Sequence, residues 1–402
     1  MPTPPLGRSA AAMLGLPRTV IVLGLVSLLN DTASEMIAPL LPLFLTATLG
    51  AGPAVVGLVE GLAEATASLL KLVSGRLADR GWNHKRLVLG GYAVSNLARP
   101  LIGTALGWTW VLALRFLDRV GKGIRTSPRD ALIAASTLQG GRGKAFGFHR
   151  TLDNAGAMLG PLAAFGLLSQ GFTMQQVFLW SLLPGLMVLT LLIWGLDDTP
   201  RNDNQIAAAS GLRWSMLDGR IRGLIMAAAG LALASAPEAF LVLWANDRGL
   251  AIAWVPLIWA AASAVKAAAS TPAGILSDRF GRLPVLLAGW SLRIILLLLL
   301  AGTVNGSNEI VTWLVFLAYA GALAATEGAE RALIGDFASA KQRGTAFGLY
   351  HMATGLAALP GALMFGLVWQ LTGAGAAFLI AALIACISVL GLLWGVRASA
   401  RP

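Results

Sequence analysis

Apolar runs of about twenty residues recur along the whole 402-residue chain, separated by short polar loops. About twenty apolar residues is the length a helix needs to cross the hydrocarbon of a bilayer. In lipid only helices and closed barrels satisfy every backbone group, and these runs lack the two-residue alternation of barrel strands. Twelve spans are expected, at 18–48, 53–77, 85–106, 108–138, 144–171, 173–196, 219–247, 252–277, 283–303, 309–337, 343–371 and 374–396. Charged residues make up 12 % of the chain, against about a quarter in soluble domains. The fold class is therefore all-α integral membrane, with twelve transmembrane helices.

The net charge of +11 points first to nucleic acid, but its distribution excludes that partner. Basic residues gather in loops after even-numbered spans (Arg76, Arg80, Lys85, Arg86; Arg142, Lys144; Arg201, Arg213, Arg220, Arg222; Arg279, Arg282; Lys341, Arg343) and at the termini (Arg8, Arg18, Arg397, Arg401). Loops on the other face, such as "TLGAGP" and "GTVNGSN", hold only Arg248. Such asymmetry is the positive-inside pattern, so both termini are expected on the cytoplasmic side of a bacterial inner membrane. The first residues lack the form of a cleavable signal, since Pro17 breaks a short apolar stretch. The single cysteine, Cys386, reads as a packing residue.

The chain repeats itself. "GRLADRGWNHKR" (75–86) returns as "GILSDRFGRLP" (274–284), and "RGKAFGFHRTLDNAGAMLGPLAAFGLL" (142–168) as "RGTAFGLYHMATGLAALPGALMFGLVW" (343–369), each displaced by half the chain. "PRDALIA" (128–134) has a weaker echo in "ERALIGD" (330–336). Two pseudo-symmetric six-helix bundles are expected, 1–196 and 219–402, joined by a polar cytoplasmic linker at 197–218. Parallel repeats of this kind hold substrate at mid-membrane between the halves and expose it alternately.

These repeated loops resemble the major facilitator superfamily over essentially the whole chain. "GRLADRGWNHKR" looks like its motif between the second and third helices, with the last basic residues one place further on than usual. "RVGKG" (119–123) resembles its fourth-helix motif, with Lys122 where Gln is common. "GAMLGPLAA" (156–164) resembles the fifth-helix motif of drug and metabolite antiporters, with Ala163-Ala164 in place of Gly-Gly. "NDTASEMIAPLLPLFL", "DRVGKGIRTSPRDAL" and "TEGAERALIGDFA" together look like a large bacterial branch of the superfamily. The resemblance implies the major facilitator fold, an antiport direction, and a first and a seventh helix that face each other across a cavity.

Ionisable groups inside spans are costly and mark pathways. On the fourth helix, positions 115, 118, 119, 122, 125, 126 and 129 follow one stripe at helical spacing. Asp118 can pair with Lys122 one turn on, and the surplus positive charge of the stripe needs acids of the first and second helices or a substrate anion. Asp31 and Glu35 lie one turn apart on the first helix, and Glu238 follows Pro237 on the seventh. A carboxyl group in a low-dielectric cavity can load and release a proton, so these three are the proton-coupling candidates. Their alternative is a static pair with a base such as Arg115, Arg119 or Lys266. Asn30, Arg115, Arg119, Lys122, Trp244, Trp259, Lys266 and Arg293 are the substrate-cavity candidates.

A third group is assigned to gating. Asp79, Arg80, Asp278 and Arg279 occupy the repeated loop motifs, where a carboxylate can accept from helix amides or pair with an Arg. Arg129, Asp130 and Arg150 lie near the cytoplasmic helix ends, and Glu330 and Arg331 belong to the echo on the tenth helix, with Glu327 one turn before it. No nucleophile–base set, phosphate loop or metal-ligand cluster is legible, so the chain reads as a non-enzyme without cofactor. "GKG" lacks the spacing of a nucleotide loop. The expected activity is proton-coupled efflux of a small organic solute, anionic in one version, by a monomer. An importer or facilitator of an anionic metabolite or siderophore-like compound is one alternative. A non-transporting lipid-handling or sensory membrane protein is another.

Overall fold

A computed structural model describes residues 15–79, 82–137, 142–196, 214, 217–303, 308–337 and 343–398, without the side chains of 75–79, 142–143, 271, 328, 331, 335, 343–345 and 394–398. Among the described residues every regular element is helical. The twelve spans appear in order. The first runs Arg18–Thr48, the second Pro53–Asp79, the third His84–Leu101, the fourth Trp108–Ser136 and the fifth Arg142–Ser169. The sixth has two pieces, Met174–Trp180 and Leu182–Gly195, as has the seventh, Gly219–Leu233 and Glu238–Asp247. The eighth spans Val255–Phe280, the ninth Arg282–Gly302, the tenth Glu309–Phe337, the eleventh Arg343–Thr372 and the twelfth Ala374–Ala398.

Nine of these, among the described residues, are long and apolar enough to cross a membrane by composition alone. The third, fourth and fifth fall short because they carry Arg99, the charged stripe, and Arg150 with Asp153. On the third and fourth helices charged groups turn inward instead: Arg99, Arg115, Asp118 and Arg125 are all buried. The opposite holds on the outer surface. Leu379, Leu383, Ile387 and Leu390 of the twelfth helix follow one exposed stripe, and Leu292, Ile295 and Leu299 another on the ninth. Apolar outside and polar inside is the arrangement a bilayer requires.

Turn chemistry sets the helix limits. Asn83 accepts from the Arg86 amide at the start of the third helix, and Thr173 with Gln176 forms a capping box at the sixth. Gly171 and Gly373 end the fifth and eleventh helices with φ of 88° and 95°, a left-handed conformation that a side chain resists.

The described residues group by packing into two compact units. One comprises those within 1–38, 70–105 and 109–209; the other those within 39–69, 106–108 and 210–402. In the first unit, Leu16, Val20, Leu23 and Val26 pack with Val88, Tyr92, Leu132, Ile133, Val188 and Leu192 in one core. In the second, Phe240, Phe365, Trp369 and Phe378 form an aromatic cluster, with Phe240 and Phe365 ring centres 4.7 Å apart. Small residues allow close approach in each. A Cβ on Gly160 of the fifth helix would stand 2.6 Å from the Thr32 carbonyl oxygen on the first. A Cβ on Gly361 of the eleventh would stand 2.5 Å from the Leu233 carbonyl oxygen on the seventh.

Candidate functional site

In the first unit the charged stripe of the fourth helix is organised around Asp118. Its Oδ1 receives Arg99 Nε from the third helix at 2.8 Å, and its Oδ2 faces Arg115 Nη1 at 3.6 Å and Arg119 Nε at 3.5 Å. Three guanidiniums thus share this one carboxylate. Arg99 continues to the first helix, donating through Nη1 to Asn30 O at 3.2 Å and Oδ1 at 3.0 Å. Asn30, a cavity candidate, is therefore a buried link between helices, and its Nδ2 donates to Asp31 Oδ1 at 2.9 Å. Arg125 lies 4.5 Å from the centre of the Tyr92 ring and donates to Ser95 Oγ at 2.6 Å.

The coupling candidates Asp31 and Glu35 sit where the first helix meets the fifth. Gly156 lies against Leu28 and the Cβ of Asp31; Gly160 lies against Thr32 and the Cβ of Glu35. The antiporter-like stretch "GAMLGPLAA" thus seats its two glycines on the acidic turn. Asp153 joins this group, accepting from Ser27 Oγ and facing Arg150 Nη1 at 3.5 Å. Asp153, Glu35 and Lys122 all lie within electrostatic range of Asp31. Asp153 is not among the coupling candidates; its spacing of three from Gly156 is the signal in the sequence that points to it. Arg129 pairs with its neighbour Asp130 at 2.9 Å.

In the second unit, Glu238 opens the second piece of the seventh helix and forms an ion pair with Lys266 of the eighth. Lys266 in turn lies 5.8 Å from the centre of the Trp259 ring. Arg293 of the ninth helix donates to Ser235 Oγ in the break of the seventh and lies 5.9 Å from the Tyr319 ring centre. Glu330 accepts from Trp290 Nε1 at 2.8 Å and from the Tyr350 hydroxyl at 2.7 Å. Trp244 is in the core, 1 % exposed, with Arg248 stacked at 5.1 Å. Arg282 bridges Asp278 and Asp336, at 2.7 Å from each. Arg279 packs on Phe280, and Glu327 is exposed. Arg80 and the side chains of Asp79 and Arg331 lie outside the described residues, as does most of the expected linker.

The chain matches the sequence profile of the Major Facilitator Superfamily over residues 23–265 and 224–402. It belongs to the major facilitator superfamily. An uncharacterized MFS-type transporter of Methanocaldococcus jannaschii is 33 % identical over 386 residues, covering 94 % of this chain and 95 % of the relative. The multidrug resistance protein MdtH of Shigella boydii is 24 % identical over 340 residues, 84 % of this chain and 82 % of that protein. Among solved structures, a bacterial homologue of the human lysosomal transporter Spinster superposes with a TM-score of 0.78 at 17 % identity, covering 98 % of each chain. The nucleoside transporter NupG gives 0.78 at 12 % identity, covering 94 % of this chain and 99 % of that one. These structural likenesses show the major facilitator fold. The protein is a major facilitator transporter, a multi-pass membrane protein.

Proposed function

We propose that the chain exports a small organic solute across a bacterial inner membrane in exchange for protons, working as a monomer by alternating access between two six-helix halves. The observation that carries this reading is the seating of Gly156 and Gly160 against Asp31 and Glu35. Close helix contact holds two carboxylates one turn apart, with a third, Asp153, in electrostatic range. Clustered carboxylates inside a span are the kind of group that relays protons in transporters. Glu238 with Lys266 is the corresponding candidate on the seventh helix. The similarity to a multidrug resistance protein supports the outward direction. Both termini are read as cytoplasmic from the basic loops.

The test compares metabolites inside and outside cells expressing the wild type, Asp31→Asn or Glu35→Gln, with the proton gradient intact or collapsed. The expected result is a compound that accumulates outside only with the wild type and an intact gradient. Accumulation inside, indifferent to the gradient, replaces this reading with an anion importer. That second reading has its own support in the guanidiniums of Arg99, Arg115, Arg119 and Arg125 gathered about the single carboxylate of Asp118.

A further inference from the structure

Each half of the sequence buries an arginine that ties its first, third and fourth helices together, and the two arginines are neutralised differently. In the first half Arg99, on the third helix, reaches Asn30 on the first and the carboxylate of Asp118 on the fourth, Nε to Oδ1 at 2.8 Å. In the second half Arg293, on the ninth, reaches Ser235 on the seventh and lies over Tyr319 on the tenth. The 201-residue displacement of the fifth-helix repeat carries position 118 to Tyr319, while Arg99 and Asn30 fall on Leu300 and Leu231, so the second-half arginine comes from another position. Where one half holds a resident carboxylate, the other holds a phenol.

Arg293 is 5 % exposed and Tyr319 fully buried. Arg293 Nε and the Tyr319 hydroxyl both lack a hydrogen-bond partner among the described residues, and Arg293 has no ion pair there. Glu330 is within electrostatic range, but its two oxygens are engaged by Trp290 and Tyr350. A buried guanidinium left without a carboxylate is strongly unfavourable, and inside a membrane span such a group marks a solute path. The seventh helix is broken at this level. Its first piece ends at Leu233 and its second starts at Glu238, so Ser235 lies in the break.

We propose that Arg293, held in place by the Ser235 hydroxyl, and Tyr319 form a binding site for a carboxylate group of the transported solute, which meets Arg293 as Asp118 meets Arg99 in the first half. The guanidinium presents paired donors to the carboxylate, and the Tyr319 hydroxyl supplies a further hydrogen bond. This inference rests on the transporter reading and names the chemical class of the substrate. It does not depend on protons as the coupling ion.

The test uses the purified full-length chain in detergent and three probes of one shape: benzoate, benzamide and benzylammonium, at constant ionic strength. The readout is the unfolding temperature against probe concentration. Benzoate is expected to stabilise saturably, and the neutral and cationic probes are not. Arg293→Gln weakens the benzoate response about tenfold or more, the scale of a charge-assisted pair. Arg293→Lys retains part of it. Tyr319→Asp supplies a resident carboxylate and removes the response, while Tyr319→Phe weakens it a few-fold and keeps the test open if the charged variants fail to fold. Equal benzoate responses in the wild type and Arg293→Gln overturn the proposal, as does an equal response of the wild type to all three probes or to none. Binding is read without a gradient, so a gradient-independent transport result sinks proton coupling and leaves this site standing.

Discussion

Gly160 of the fifth helix lies on the backbone of Thr32, so close that a Cβ at position 160 would meet the Thr32 carbonyl oxygen at 2.6 Å and the Cβ of Glu35 at 2.8 Å. Two helices in such contact behave as one body, and the acidic turn of the first helix takes its position from the fifth.

Gly160→Ala is therefore expected to destabilise the protein by about 1–3 kcal/mol, the cost of overpacking. Gly166→Ala, on the same helix with nothing within 4 Å of its added carbon, is expected to be neutral or stabilising by up to about 1 kcal/mol. Unfolding midpoints of the purified variants in one detergent check the pair. Equal behaviour at the two positions removes the close-contact argument.

Asp118→Asn is the second prediction. It leaves Arg99, Arg115 and Arg119 buried without their shared carboxylate, a loss of about 3–5 kcal/mol for a broken buried pair. Removing a cation as well, in Asp118→Asn with Arg99→Gln, restores part of that stability. A double-mutant cycle on unfolding free energies measures the coupling, and a cycle that sums to zero means the 2.8 Å contact contributes nothing.

The ion pair of Glu238 and Lys266 behaves differently, because each side chain is 30 % exposed. Glu238→Gln is expected to cost about 1 kcal/mol or less in stability. Comparing its unfolding midpoint with its transport rate separates roles: loss of transport with unchanged stability identifies a functional carboxylate, and loss of both together identifies a structural one.

Arg282 provides the salt-sensitive case. Its partners Asp278 and Asp336 have side chains 69 % and 54 % exposed. Arg282→Gln is expected to change stability by less than about 1 kcal/mol, and the difference should vanish near 1 M salt, where surface charges are screened. A difference that persists at high salt shows that Arg282 acts through packing.

Helix limits were legible because lipid imposes them: apolar length fixed the spans, and the ninth and tenth begin or end within a residue or two of expectation. The break at 234–237 was less so. "SAPE" carries a helix-breaking proline, but only the structure shows the Ser235 hydroxyl accepting from Arg293. Partner choice was the least legible part. Asp118 selects Arg99, nineteen residues away, and Glu330 selects Trp290 and Tyr350. Such choices are fixed by distances between helices, which helical periodicity does not encode. Tyr319 and Trp290 are illegible in sequence for the same reason: an aromatic in an apolar run carries no sign of the polar group it will meet.

Gly160 and Gly361 occupy equivalent places in the two halves, each pressed on a backbone carbonyl of the neighbouring helix. The repeat carries a joint along with the helices, and both copies have room only for the smallest residue. Selection therefore acts on two addresses in the gene as though on one. In a saturation library the tolerated substitutions at position 160 and at position 361 would form nearly the same short list, while their immediate neighbours diverge with the separate tasks of the halves.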